Sequence, residues 1–200
     1  MIALSVVMLG EAPGTARLGE WVSSVDDGMT LEDLANHIAA SDAFQATYPN
    51  FSTNEEFAQA FLGNLMGSED VPEALVAAAV DIVVGLLNDG MTRGALALAA
   101  AGAMLDIHAQ GMDHPAYGDL GMVANAFANQ IAVAEHYTLN ARMADPSSDV
   151  LSGVTSDDAT VEAAIEGLAD AGTGTDGQTF PLTPTIDNFT GGDNDDTFVA

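Results

Sequence analysis

Val25-Asp26-Asp27-Gly28-Met29-Thr30 recurs as Leu87-Asn88-Asp89-Gly90-Met91-Thr92, and this duplicated turn decides the fold. Gly28 and Gly90 suit the left-handed end of a preceding helix, and Thr30 and Thr92 are good N-caps for a following one. The segment after each turn has helical spacing, with Leu31, Leu34 and Ile38 in the first copy and Leu96, Leu98, Met104 and Leu105 in the second. The segment before each is apolar and broken by glycine and proline, Met8-Leu9-Gly10-Glu11-Ala12-Pro13 and then Leu65-Met66-Gly67-Ser68-Glu69-Asp70-Val71-Pro72. The repeating unit is therefore helix, Gly/Pro turn, helix, Asp-Gly turn, helix.

Between the copies, 48–54 reads as a loop leading into a helix with Phe57, Phe61 and Leu65 one turn apart. After the second copy, 111–119 is another loop, and the next helix carries Met122, Phe127, Ile131, Val133 and Tyr137. Asp145-Pro146 predicts the start of a short helix. Ser156 or Asp157 opens a last one with Val161, Ile165 and Leu168 inward. The Ala-rich run Gly94–Met104 suits a close seam, either between two helices of this chain or between protomers. The expected architecture is all-α, a compact bundle of about six to eight helices from two degenerate repeats. A Gly/Thr/Pro linker and the first turn of a parallel β-roll complete the chain. The divisions are 1–110 for the repeats, 111–170 for helices packed on them, 171–190 for the linker and entering strand, and 191–200 for the turn.

That turn is read from Gly191-Gly192-Asp193-Asn194-Asp195-Asp196-Thr197-Phe198-Val199-Ala200. It matches the Gly-Gly-x-Gly-x-Asp-x-U-x nonapeptide of calcium-filled β-rolls, with Asn194 in place of the third glycine. Asp193, Asp195 and Asp196 offer hard oxygen ligands suited to calcium. Each ion in such a roll sits between successive turns, so calcium binding here requires a following repeat, and the chain is expected to continue into one.

Composition excludes several classes of function. Thirty acids stand against three arginines and no lysine, for a net charge of −27. Nucleic acid is disfavoured as a partner because phosphate binding needs a basic face. Cysteine is absent, which removes disulfides, thiolate zinc sites and cysteine nucleophiles. The longest apolar stretch, Ala74 to Ile107, is interrupted by Asp81, Asn88-Asp89-Gly90 and Arg93, so membrane insertion is not expected. Met1–Leu9 is apolar but lacks the basic flank of a secretory signal.

No phosphate loop, serine elbow or zinc-protease motif is present, and an enzyme is not expected. His37, His108, His114 and His136 lack metal-ligand spacing. Asp113-His114-Pro115 with Tyr117 is a loop-borne candidate for a ligand contact. Trp21, the sole tryptophan, reads either as a sugar-stacking platform or as a core anchor, and the anchor is preferred.

Leu9-Gly10-Glu11-Ala12-Pro13-Gly14, Trp21, Asp27-Gly28 and Ser41-Asp42-Ala43-Phe44 resemble the repeat of a secreted-protein domain family of unknown function. Its motif runs Leu-Gly-Arg-Ala-Pro-Asp, Trp, an Asn/Asp-Gly turn, then Ser-x-Glu-Phe. This chain has Glu11 where that family has arginine, and Val83 or Val84 where the second copy's tryptophan would stand. With Ala124–Thr138 and the tail from Thr179, the order of parts is similar to the N-terminal region of alphaproteobacterial surface-layer and related calcium-repeat proteins exported by type I secretion. The resemblance implies a secreted, non-catalytic anchoring or assembly module at the cell surface, with polysaccharide or lipopolysaccharide, calcium and copies of itself as partners. Two alternatives stay open: a lattice- or filament-forming structural domain that touches no sugar, and an accessory domain of a secreted calcium-repeat hydrolase.

Overall fold

The computed structural model describes residues 1–172, 179–181 and 197–199. Nine α-helices lie among them: α1 (Ile2–Leu9), α2 (Gly14–Asp26), α3 (Leu31–Ala39), α4 (Asp42–Thr47), α5 (Asn54–Met66), α6 (Glu73–Asn88), α7 (Arg93–Gln110), α8 (Asp119–Glu135) and α9 (Asp158–Gly172). A π-turn at His136–Asn140 extends α8, and a 3-10 turn occupies Asp149–Leu151. The first Asp-Gly turn joins α2 to α3, after α1, and the second joins α6 to α7, after α5.

The two turns are built alike. Gly28 has φ 103° and Gly90 φ 97°, a region that a side chain strains to enter. Met29 N–H donates to Ser24 C=O and Gly28 N–H to Val25 C=O; Met91 donates to Leu86 and Gly90 to Leu87 in the same way. This is one Schellman closure used twice. The caps then diverge. Thr30 forms a full capping box with Asp33, whereas Thr92 accepts from Ala95 N–H and donates its own proton to Asn36 Oδ1 at 2.6 Å. The second cap therefore ties the two copies together.

That tie sits on the most extensive helix contact of the bundle, α3 on α7. Ala35 of α3 and Ala97 of α7 are wholly buried, with Gly94 and Ala101 beside them. The small-residue seam of α7 is thus used inside the chain. Within each copy, the offset that carries Gly28 to Gly90 carries Trp21 to Val83. These two are the large apolar residues that α2 and α6 bury at that point.

Helix α1 is apolar all round because it is the central helix, packed on α8, α7, α4 and α3. Phe44, Tyr48, Phe57 and Phe61 form an aromatic cluster at its side, each at most 2% exposed. Phe57 and Phe61 stack at 5.6 Å between centroids, and Tyr48 meets Phe57 edge-on at 5.4 Å.

Two expectations need correction. The described residues hold nine α-helices where about six to eight were expected, one of them the short α4, which Ser41 opens by accepting from Phe44 N–H. No helix starts at Asp145-Pro146. Ser147 instead pairs with Ala12 through two backbone hydrogen bonds of 2.8 and 3.0 Å, which engage groups that a helix would need. Elements after the second repeat contact it through α8, which packs on α7, α1 and α5. Asn125 and Asn129, one turn apart on α8, donate to the carbonyls of Ser156 and Thr155, and Glu69 accepts from Ser156 N–H and Oγ–H. Beyond α9, β1 (Thr179–Pro181) and β2 (Thr197–Val199) pair in parallel with Phe180 opposite Phe198.

Candidate functional site

A cleft of about 370 Å³ opens where α1, α4, α5, α8 and the 3-10 turn converge, within the size range of small-ligand sites. Its apolar lining is Val6, Val7, Leu9, Leu65, Phe127 and Leu151. Its polar lining is Thr47, Tyr48, Asn64, Gln130, Ser148 and Ser152. No charged side chain lines it, on a chain with thirty carboxylates.

Each polar group is positioned by the fold. Tyr48 closes α4 and is gripped by the aromatic cluster. Its phenol oxygen accepts from Asn64 Nδ2 at 2.7 Å, which leaves the phenol proton to donate. Burial pushes its pKa above the ordinary tyrosine value, opposed in part by the Asn64 hydrogen bond, so the phenol is neutral across the physiological range. Gln130 projects from α8, while Ser148 and Ser152 flank the 3-10 turn.

The rim is stiffened by Arg93. Its guanidinium donates to the carbonyls of Tyr48, Pro49 and Ser52 and to Ser52 Oγ, and lies 4.5 Å over the Phe57 ring. Desolvation lowers its pKa from the ordinary arginine value, yet the group stays cationic. The clamped loop carries Phe51, 91% exposed. Three residues from Tyr48, its Cα is within about 11 Å of that residue's Cα. A large apolar ring at the surface can serve as a stacking platform.

The described residues among those singled out from sequence do not line this cleft. Asp193, Asp195 and Asp196 fall outside the described residues. Trp21 is 7% exposed and belongs to the core. It borders a separate cleft of about 140 Å³ with Arg17, Glu20 and His37, and its burial leaves no open ring face for a sugar. Glu11, at the position where the resembled repeat has arginine, pairs with Arg17. His114 and Tyr117 do come together, with ring centroids 5.2 Å apart. They sit in the 111–118 loop away from the charge-free cleft, and His114 Nδ1 accepts from Ala116 N–H there.

Among the described residues no group of three or more His, Asp or Glu is placed to hold a metal, and no helix is long and apolar enough to cross a membrane. No known protein family, curated protein or solved structure matches the chain.

Proposed function

We propose that the chain is a non-catalytic anchoring module of a secreted, calcium-dependent surface protein, and that its cleft receives a neutral sugar unit of cell-surface polysaccharide or lipopolysaccharide. The observation that carries this reading is the cleft's chemistry. Hydroxyls, amides and a neutral phenol over an apolar floor suit a polyhydroxylated, uncharged ligand, and the absence of charge there contrasts with the acidic chain around it. Phe51 would stack on a neighbouring sugar of the same polymer. Calcium belongs to Asp193, Asp195 and Asp196 once a further repeat is present, outside the cell where calcium is plentiful. A neutral ligand also accounts for how so acidic a surface approaches polysaccharide without a basic patch.

Co-sedimentation with polysaccharide from the producing cell tests this directly. Saturable binding is expected, with little dependence on sodium chloride because no charge pair is formed. Affinity should stay flat between about pH 5 and 9, since Tyr48 is the only titratable side chain of the cleft and loses its proton only above the ordinary tyrosine range. Asn64→Ala and Ser152→Ala should each weaken binding roughly three- to tenfold, the worth of one or two neutral hydrogen bonds. Binding that is abolished by moderate salt, or that survives both substitutions unchanged, rules the cleft out.

A further inference from the structure

The charge-free cleft has a neighbour. A second cleft of about 440 Å³ is lined by α9 and by the segment that ends in the 3-10 turn, and Ser152 lines both clefts. The turn supplies side chains to each. Ser148 and Leu151 line the first, Asp149 and Val150 line the second, and Ser152 is common to the two. This ridge is held from both ends. Ser147 pairs with Ala12 through backbone hydrogen bonds, and Leu151 and Val154 are buried in the core. Its shape is therefore set before any ligand arrives, which lowers the cost of binding. The two clefts differ in chemistry. Tyr137, Val150, Ala164 and Leu168 give the second an apolar lining, and the Tyr137 hydroxyl is already committed, donating to Asp145 C=O at 2.9 Å. Asp149 is the single charged side chain lining it among the described residues. It is exposed and forms no ion pair among them.

We propose that this second cleft is a further sugar subsite, in which Asp149 accepts from two adjacent hydroxyls on the next uncharged unit of the same polymer. The inference rests on the sugar reading of the first cleft. A carboxylate has two acceptor oxygens and no donor, and its bonds to hydroxyls are about twice as strong as neutral ones. Asp149 therefore selects a unit with hydroxyls on neighbouring carbons. It rejects a uronate or a phosphorylated sugar, because like charges would be brought together. The first cleft, lined by neutral groups alone, has no such means of refusing an anion. Because Ser152 borders both clefts, a unit bound in the first presents its neighbour to the second at high effective concentration. One continuous polymer thus gains more from the pair of clefts than two separate ligands would.

Calorimetric titration of the full chain with size-graded neutral fragments of the producing cell's surface polysaccharide tests it. Affinity should rise from the shortest fragment that binds to fragments long enough to cross Ser152. Asp149→Asn should weaken the long fragments roughly tenfold, the worth of lost charge-assisted hydrogen bonds, and leave the shortest unchanged. Ala163→Trp, at an exposed α9 position that lines the second cleft, should do the same by filling it. Both positions are exposed, so both melts should match the wild type. Asn64→Ala, in the first cleft, should weaken short and long fragments alike. Asp106→Asn, which removes an exposed carboxylate of α7, should weaken neither. Long fragments that bind no better than short ones, or that bind either second-cleft variant as well as wild type, overturn the second subsite and leave the first cleft standing. If no fragment binds at all, the reading of the first cleft fails and this one falls with it.

Discussion

Gly94→Ala should destabilise the chain by about 3 kcal/mol, at the upper end of what overpacking costs. An added Cβ would lie 2.6 Å from the Ala35 carbonyl carbon and the Asn36 nitrogen. Both are backbone atoms, so no side chain can swing aside; α3 and α7 must separate and open the Ala35–Ala97 seam. Gly102→Ala on the same helix is the control. Nothing lies within 4 Å of its added Cβ, and replacing a mid-helix glycine there should stabilise by about 0.5–1 kcal/mol. Thermal melts of the two variants should move in opposite directions. Equal melts would mean that the two repeats do not meet at Gly94.

Arg93→Met should cost about 2–3 kcal/mol, since it removes charge-assisted hydrogen bonds to three carbonyls. Methionine keeps an apolar stem but supplies neither a donor nor the cation that lies over Phe57. One of only three cations in the chain is here committed to neutral carbonyls and an aromatic face rather than to a carboxylate, so the effect should persist in high salt. Arg93→Lys should recover less than half, because an ammonium is a point charge and lacks the planar fork that reaches several acceptors. Hydrogen exchange should show residues 49–53 losing protection in both variants, and polysaccharide affinity should fall as Phe51 loses its fixed position. A methionine variant with wild-type melt and loop protection would show that Arg93 does not hold the rim.

The repeat was legible in the sequence because its determinants are local. A glycine at positive φ and a threonine three residues before an unpaired N–H act within one turn, and both copies display them. The core face of α5 was legible for the same reason, from Phe57 and Phe61 alone. The break at Ser41 and the extended pairing of Ser147 with Ala12 were not. In the first a cap outweighed helical continuity, and in the second a partner distant in the chain overrode the local Asp-Pro signal.

The cleft was hidden for a different reason. Tyr48, Asn64, Gln130 and Ser152 are ordinary surface-type residues along the chain. What distinguishes them is the lack of any charge once five elements bring them together, a property of the assembly and not of any motif. Trp21 drew notice as the sole tryptophan and is buried in the core, the reading preferred from sequence; Phe51 is a strongly exposed aromatic side chain among the described residues.

Heteronuclear NMR of the chain, titrated with neutral oligosaccharide prepared from the producing cell's surface polysaccharide, probes sugar binding in the cleft residue by residue. Saturable shifts are expected, centred on Thr47, Tyr48, Asn64, Leu65, Gln130 and residues 148–152, with Phe51 joining as the oligosaccharide lengthens and α6 silent throughout. Shifts scattered over the acidic surface, or none at a saturating excess of sugar, would show that the cleft is not a sugar site.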